Sequence, residues 1–278
     1  VLSDYYLSLD LDPSNVDSFV AIFNFFKMRN DLKKCHELCL DFLSKSSQSE
    51  TVALLLTTIE TRDFTSSIKA LENVLDVHPR FHRALVRLVE ICARAGRLDI
   101  AKTRLQKYQK MKDESPGILF SFGLLNLYTG NNIDAQKYFT LAAKNRRWML
   151  SAQLCIFNIL VNPERKYVWC ENEPLTSQEN INQASEILSS FKKLNEVDVA
   201  LLTAELFIAH NNNDAITNAM KLFYQVIDSQ QHNIPALVGL ARCHYRLGNI
   251  KIANIFIDKV FLFKPFHENY SYFEECFL

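Results

Sequence analysis

Glycine and proline are scarce in this chain, whose 278 residues include 6 of one and 7 of the other. That is too little punctuation for an all-β sandwich and fits long helices joined by short turns. Net charge is missing as well, since 31 basic side chains face 31 acidic ones. With no global field to recruit a polyanion, neither nucleic acid nor an anionic membrane surface is expected as a partner. No run of about 18 uncharged apolar residues occurs, nor a basic-then-apolar leader, so neither membrane insertion nor a signal peptide is predicted. The 7 cysteines, at 35, 39, 92, 155, 170, 243 and 276, lack C-x2-C or disulfide-like spacing and read as reduced thiols of a cytosolic protein.

Catalytic and cofactor signatures are absent too. There is no G-x4-GK-[ST] phosphate loop and no GxGxxG fingerprint, and His36-Glu37 and His267-Glu268 lack a second histidine at zinc-protease spacing. Cys35 and Cys39 lie one helical turn apart and could in principle hold a metal, but they occupy packing slots of a helix, so burial in the core is expected. His78 and His82 cannot share a helical face, because Pro79 stands between them. The expectation is a protein without catalytic, metal or cofactor residues, and not an enzyme. What is present is apolar material: 48% of residues are hydrophobic, ample for a large core.

That material is periodic, most legibly in residues 234–265, IPALVGLARCHYRLGNIKIANIFIDKVFLFKP. Leu237, Leu240, Ala241 and His244 fall on one helical face, and Ala253, Ile257 and Val260 on another. Between them Gly248 can take the left-handed angle that ends one helix and reverses the chain. The order resembles the roughly 34-residue tetratricopeptide pattern W-x2-LG-x2-Y…A-x3-F…P. Small residues at Ala241 and Ala253 let antiparallel helices approach, and Pro265 cannot continue the helix it follows.

Counted along the chain, the pattern predicts an all-α tetratricopeptide-repeat array, a right-handed superhelical solenoid that is a fragment of something longer. Residues 1–15 read as the end of a preceding helix, repeats follow at 16–47, 48–81, 82–115, 116–147, 148–194, 200–233 and 234–267, and 268–278 is a truncated helix. Expected second-helix stripes include Cys35, Cys39 and Phe42; Ser67, Leu71 and Val74; Ala101, Leu105 and Tyr108; Ala135, Phe139 and Ala142; and Ala219, Phe223 and Val226. Expected first-helix stripes include Leu54, Leu55 and Thr58, Leu85, Leu88, Val89 and Cys92, Leu119, Phe122 and Asn126, and Thr203, Leu206 and Phe207. Where Gly248 stands in the last repeat, Asn211-Asn212-Asn213-Asp214 stands in the one before; Asn and Asp tolerate left-handed geometry and cap the next helix.

The fifth repeat is interrupted by an insert at 162–180, after which the helix resumes near Ile181. It is either a surface excursion or a docking peptide, the latter because Tyr167 and Trp169 are aromatic anchors in a polar loop. Binding in such arrays uses the concave side lined by first helices. There the candidates are Arg83, Glu90 and Arg94, then Phe120 and Tyr128, then Arg242, Tyr245 and Arg246. Each is also compatible with an ordinary solvated face; arginine beside tyrosine suits stacking and bidentate pairing with carboxylates. The Lys and Asn set of a peptide-carboxylate clamp is not seen.

Residues 122–164, FGLLNLYTGNNIDAQKYFTLAAKNRRWMLSAQLCIFNILVNPE, resemble the tetratricopeptide repeat domain 21 family. The slots are Tyr128-Thr129-Gly130-Asn131, Leu141-Ala142, Trp148 and Asn162-Pro163-Glu164; an insert and a helix follow, and residues 232–241, HNIPALVGLA, resemble the family's HVPALLGMA. Arg146-Arg147 departs from the acidic residue the family tends to place before the tryptophan, and the insert is shorter. The resemblance implies a structural subunit of intraflagellar transport complex A. It would act in retrograde transport in the cilium or flagellum and in the cytoplasm at the ciliary base, contacting other complex A subunits and cargo adaptors. A generic tetratricopeptide peptide-binding adaptor or co-chaperone-like module is the alternative.

Overall fold

Side-chain caps start many of the helices, and left-handed residues stop several. Asn15, Asp31, Ser177, Asn195, Asn212 and Asn233 each accept a hydrogen bond from the backbone N–H three residues on, at 2.7–3.3 Å, satisfying donors that the first turn leaves open. Gly96, Gly130 and Gly248 take φ of 66°, 82° and 77°. The amides that follow them reach back to the carbonyls of Cys92, Asn126 and His244 at 2.8–2.9 Å, closing three equivalent Schellman turns. Asn211 supplies the same left-handed geometry at φ 48°, and Asn212 then caps the next helix.

The computed structural model describes residues 2–29, 31–46, 49–57, 59, 64–165, 174–191 and 194–263. Among them every regular element is an α-helix: α1 Leu2–Leu11, α2 Val16–Met28, α3 Leu32–Lys45, α4 Glu50–Thr57, α5 Phe64–Val77, α6 His82–Arg94, α7 Leu98–Lys110, α8 Pro116–Tyr128, α9 Asn132–Ala143, α10 Met149–Val161, α11 Gln178–Ser190, α12 Glu196–His210, α13 Asn213–Ser229, α14 Ile234–Arg246 and α15 Ile250–Phe263. None of the described helices is long and apolar enough to cross a membrane. The architecture is an all-α tetratricopeptide-repeat solenoid, and it divides into two compact units, Val1–Ala142 and Ala143–Leu278.

In the first unit α2, α4, α6 and α8 pack each on the next, while α3 and α5 fill in behind them. Leu71, Leu85, Leu88, Cys92 and Leu105 are fully buried between these layers, and Phe19 meets Phe42 with ring centroids 4.8 Å apart. Polar ties join neighbouring repeats as well. The Nε2 of His36 lies 2.8 Å from Ser67 Oγ, Tyr108 Oη donates to the Pro79 carbonyl at 2.7 Å, and the buried Arg104 guanidinium donates to Asp76. Cys35 and Cys39 are fully buried core residues, and burial pushes both thiols up.

In the second unit α10, α12 and α14 follow one another, with α11, α13 and α15 as their partners. The α11 helix begins at Gln178, ahead of the start expected at Ile181, because Ser177 caps it. Just upstream, the Leu175 amide donates to the Ala209 carbonyl at 3.0 Å, so the end of the insert is fastened to the last turn of α12. The second-helix stripes named above fall where the periodicity puts them; the first helices α4, α8 and α12 differ. On α8 the expected Leu119, Phe122 and Asn126 are half-buried, while Ile118, Phe120, Ser121 and Leu124 are buried. On α12 the fully buried residues are Ala204, Ile208 and Ala209, while Thr203, Leu206 and Phe207 are half-buried. On α4 they are Val52, Ala53 and Leu56, with Leu55 half-buried and Thr58 outside the described residues. A first helix is flanked by a second helix and by other first helices, so more than one of its faces is covered and no single stripe dominates.

Candidate functional site

Three of the predicted contact residues sit on α6, and two of these are engaged within the first unit. Arg83 is exposed. Glu90 accepts from Arg87 Nη1 at 3.1 Å, and the same guanidinium donates to the Ile59 carbonyl at 3.1 Å, so Glu90 steadies a contact between α6 and the end of α4. Arg94 lies over the ring of Phe64, 5.6 Å from its centroid, within cation–π range. On α8 Tyr128 is half-buried at the last turn, whereas Phe120, expected to face the groove, is 5% exposed and packs on Phe139 with centroids 5.2 Å apart. The reason is that α8 is apolar nearly all round and is covered on several sides. Tyr167 and Trp169 lie outside the described residues.

On α14 the outcome differs from expectation in a useful way. Arg242 is 5% exposed, and its Nη1 donates to both carboxylate oxygens of Glu205 on α12 at 2.9 Å. A guanidinium withdrawn from water needs such a counter-charge, so Arg242 is an internal clamp rather than a groove-facing contact. One turn on, Arg246 Nε donates to Asn211 Oδ1 at 2.8 Å, and Tyr245 between them is half-buried. Both arginines thus hold α14 against α12, one in its middle and the other at its left-handed terminus.

Beside this clamp opens an apolar hollow of about 310 Å³ that the periodicity did not single out. Leu154 from α10, Leu194, Leu201 and Leu202 from α12 and its approach, and Pro235 from α14 line it, with the buried Phe223 ring beneath. Asp198 and Glu205 complete the lining. The hollow exists because α12 is shared between two core clusters. Ala204, Ile208 and Leu201 belong to the cluster built on α13 to α15, and Ala209, Leu202 and Leu206 to the cluster built on α10 and α11. At their seam Leu201 and Leu202 are only half-covered. The sequence signal was available as D-x2-LL-x2-E, which puts two leucines and two carboxylates on one helical face at i, i+3, i+4 and i+7. Among the described residues no group of three or more His, Cys, Asp or Glu is arranged to hold a metal.

The family model described as the TT21 fifth ARM repeats domain matches residues 50–161. Tetratricopeptide repeat protein 21B of Xenopus laevis is 23% identical over 240 residues, covering 79% of this chain, and tetratricopeptide repeat protein 21A of Mus musculus is 20% identical over 269 residues, covering 90%. The chain is thus similar to the tetratricopeptide repeat protein 21 family over these stretches. It spans 18% and 20% of the length of those two relatives. Among solved structures, a tetratricopeptide repeat protein from Parabacteroides merdae superposes with a TM-score of 0.58 at 11% identity, covering 87% of this chain and 90% of its own, which shows the fold. In its second unit the chain therefore offers two arginine clamps that hold α14 to α12 and, beside them, an open apolar hollow.

Proposed function

We propose that this chain is a non-enzymatic scaffold segment of an intraflagellar transport complex A subunit. In this role its helix repeats hold other complex A subunits, and cargo adaptors with them, during retrograde transport in the cilium or flagellum and at the ciliary base. The observation that carries the reading is the alignment with tetratricopeptide repeat protein 21 relatives across 79–90% of the chain. It is supported by the use of polar and sulfur-bearing side chains for packing rather than reaction: buried cysteines, capped helices and internal ion pairs. Affinity purification of the full-length protein is expected to return other complex A subunits, and the tagged protein is expected to locate to cilia. Purification that returns none of them overturns the reading. The open hollow on α12 favours a second mode on the same scaffold, recognition of short peptide segments.

A further inference from the structure

We propose that the hollow on α12 is a docking site for a peptide segment that presents a leucine-like side chain with a lysine or arginine close by in sequence. The proposal rests on the scaffold reading and names the chemistry that one part of the scaffold would take.

Four observations lead to it. The hollow is lined by leucine, proline and phenylalanine side chains, and at about 310 Å³ it sits at the low end of ligand-holding volumes, suited to one or two anchor side chains. Among the described residues its ionisable lining is acidic, Asp198 and Glu205. Of these Glu205 is already neutralised by Arg242, both of whose bonds are 2.9 Å. Asp198 is exposed, makes no ion pair among the described residues, and shares its turn with Glu196, which is also exposed. Among the described residues the hollow therefore has one compensated end and one end where negative charge is left over.

The spacing sets the ligand's register. On a helix rising 1.5 Å per residue, Asp198 lies about 6 Å along the axis from Leu202. An extended peptide covers that distance in about two residues. An apolar anchor in the hollow would thus place a cation two positions away over Asp198, and an acidic residue there would be repelled. Buried apolar surface supplies the affinity, and the exposed carboxylate selects the partner. An acidic or purely apolar peptide is the occupant this arrangement disfavours.

The test is a random-peptide display selection on the 278-residue chain, followed by titration of the enriched peptides by fluorescence anisotropy. Enriched sequences are expected to pair a leucine, isoleucine or methionine with Lys or Arg about two positions away. Asp198→Lys, in the first turn of α12, is expected to lower the melting midpoint slightly through the helix dipole and to weaken those peptides about fivefold. The same peptides remade with Glu for the cation should bind Asp198→Lys better than they bind the original chain. Overturning outcomes are no enrichment, enrichment of acidic sequences, or affinities that Asp198→Lys leaves unchanged. Complex A co-purification with the full-length protein is scored in parallel. Its loss with the peptide selectivity intact would count against the scaffold reading and still support the groove.

Discussion

A side chain at Gly239 would start inside a phenyl ring: a Cβ built there lies 2.3 Å from Phe223 Cζ, and Phe223 is itself 1% exposed. Helix propensity alone makes Gly→Ala favourable by about 1 kcal/mol. Overpacking a closed site costs about 1–3 kcal/mol. The second effect should win here, so Gly239→Ala is expected to lower the melting midpoint; a rise would show that Phe223 has room to move. Near it, His244 is buried with its Nε2 2.9 Å from Tyr224 Oη and its ring stacked on Phe256, with Lys259 over the far ring. Burial lowers its pKa from 6.5, and among the described residues its Nδ1 has no acceptor to receive a proton's hydrogen bond. The unfolded chain therefore takes up a proton below about pH 6.5 that the folded chain resists. Stability is full above that pH and declines as pH falls toward the lowered folded pKa. Between pH 7.5 and 5.5 the fall in melting midpoint should be shallower in His244→Gln than in the original chain. Residues of this kind differ in how visible they are beforehand. His244 stood in the aromatic slot of the repeat and could be assigned to the core, whereas the burial of Arg242 depends on Glu205, a residue 37 positions away that no local spacing points to.

Helices with one covered face and helices with several behave differently, in sequence and in tolerance to change. Second helices such as α5, α7 and α13 carry one apolar stripe with mostly polar residues elsewhere, and their buried positions, Leu71, Leu105 and Phe223 among them, follow from period alone. First helices such as α8 and α12 are covered from more sides; their apolar residues spread round the axis, and the stripe on α12 was misplaced for that reason. The hollow went unseen from the same cause, since a seam between two clusters leaves no periodic mark of its own. On α15, Ala253 is fully buried against α14. Ala253→Leu is expected to overpack this pair and cost about 1–3 kcal/mol, read as a lowered midpoint in denaturant. An unchanged midpoint would place that residue away from the α14 contact.

For the molecule as a whole, the equality of 31 positive and 31 negative side chains has its own consequence. Near its pI of about 7.2 the chain has little repulsion to keep copies apart. Light scattering of concentrated solutions is expected to peak near that pH and fall on either side; a flat profile would indicate that local charge patterns dominate. The buried thiols bear on the same scale. Cys39 lies in α3, Cys92 in α6 and Cys243 in α14; all three are fully enclosed, with the thiol of Cys92 pushed up to about 11 and that of Cys243 to about 12. Alkylating reagents attack the thiolate, so each of these sulfurs reacts only when its own helix pair opens. With the remaining cysteines replaced by serine, pulsed labelling read by mass spectrometry would turn the three into local clocks, timing how often separate stretches of the array breathe.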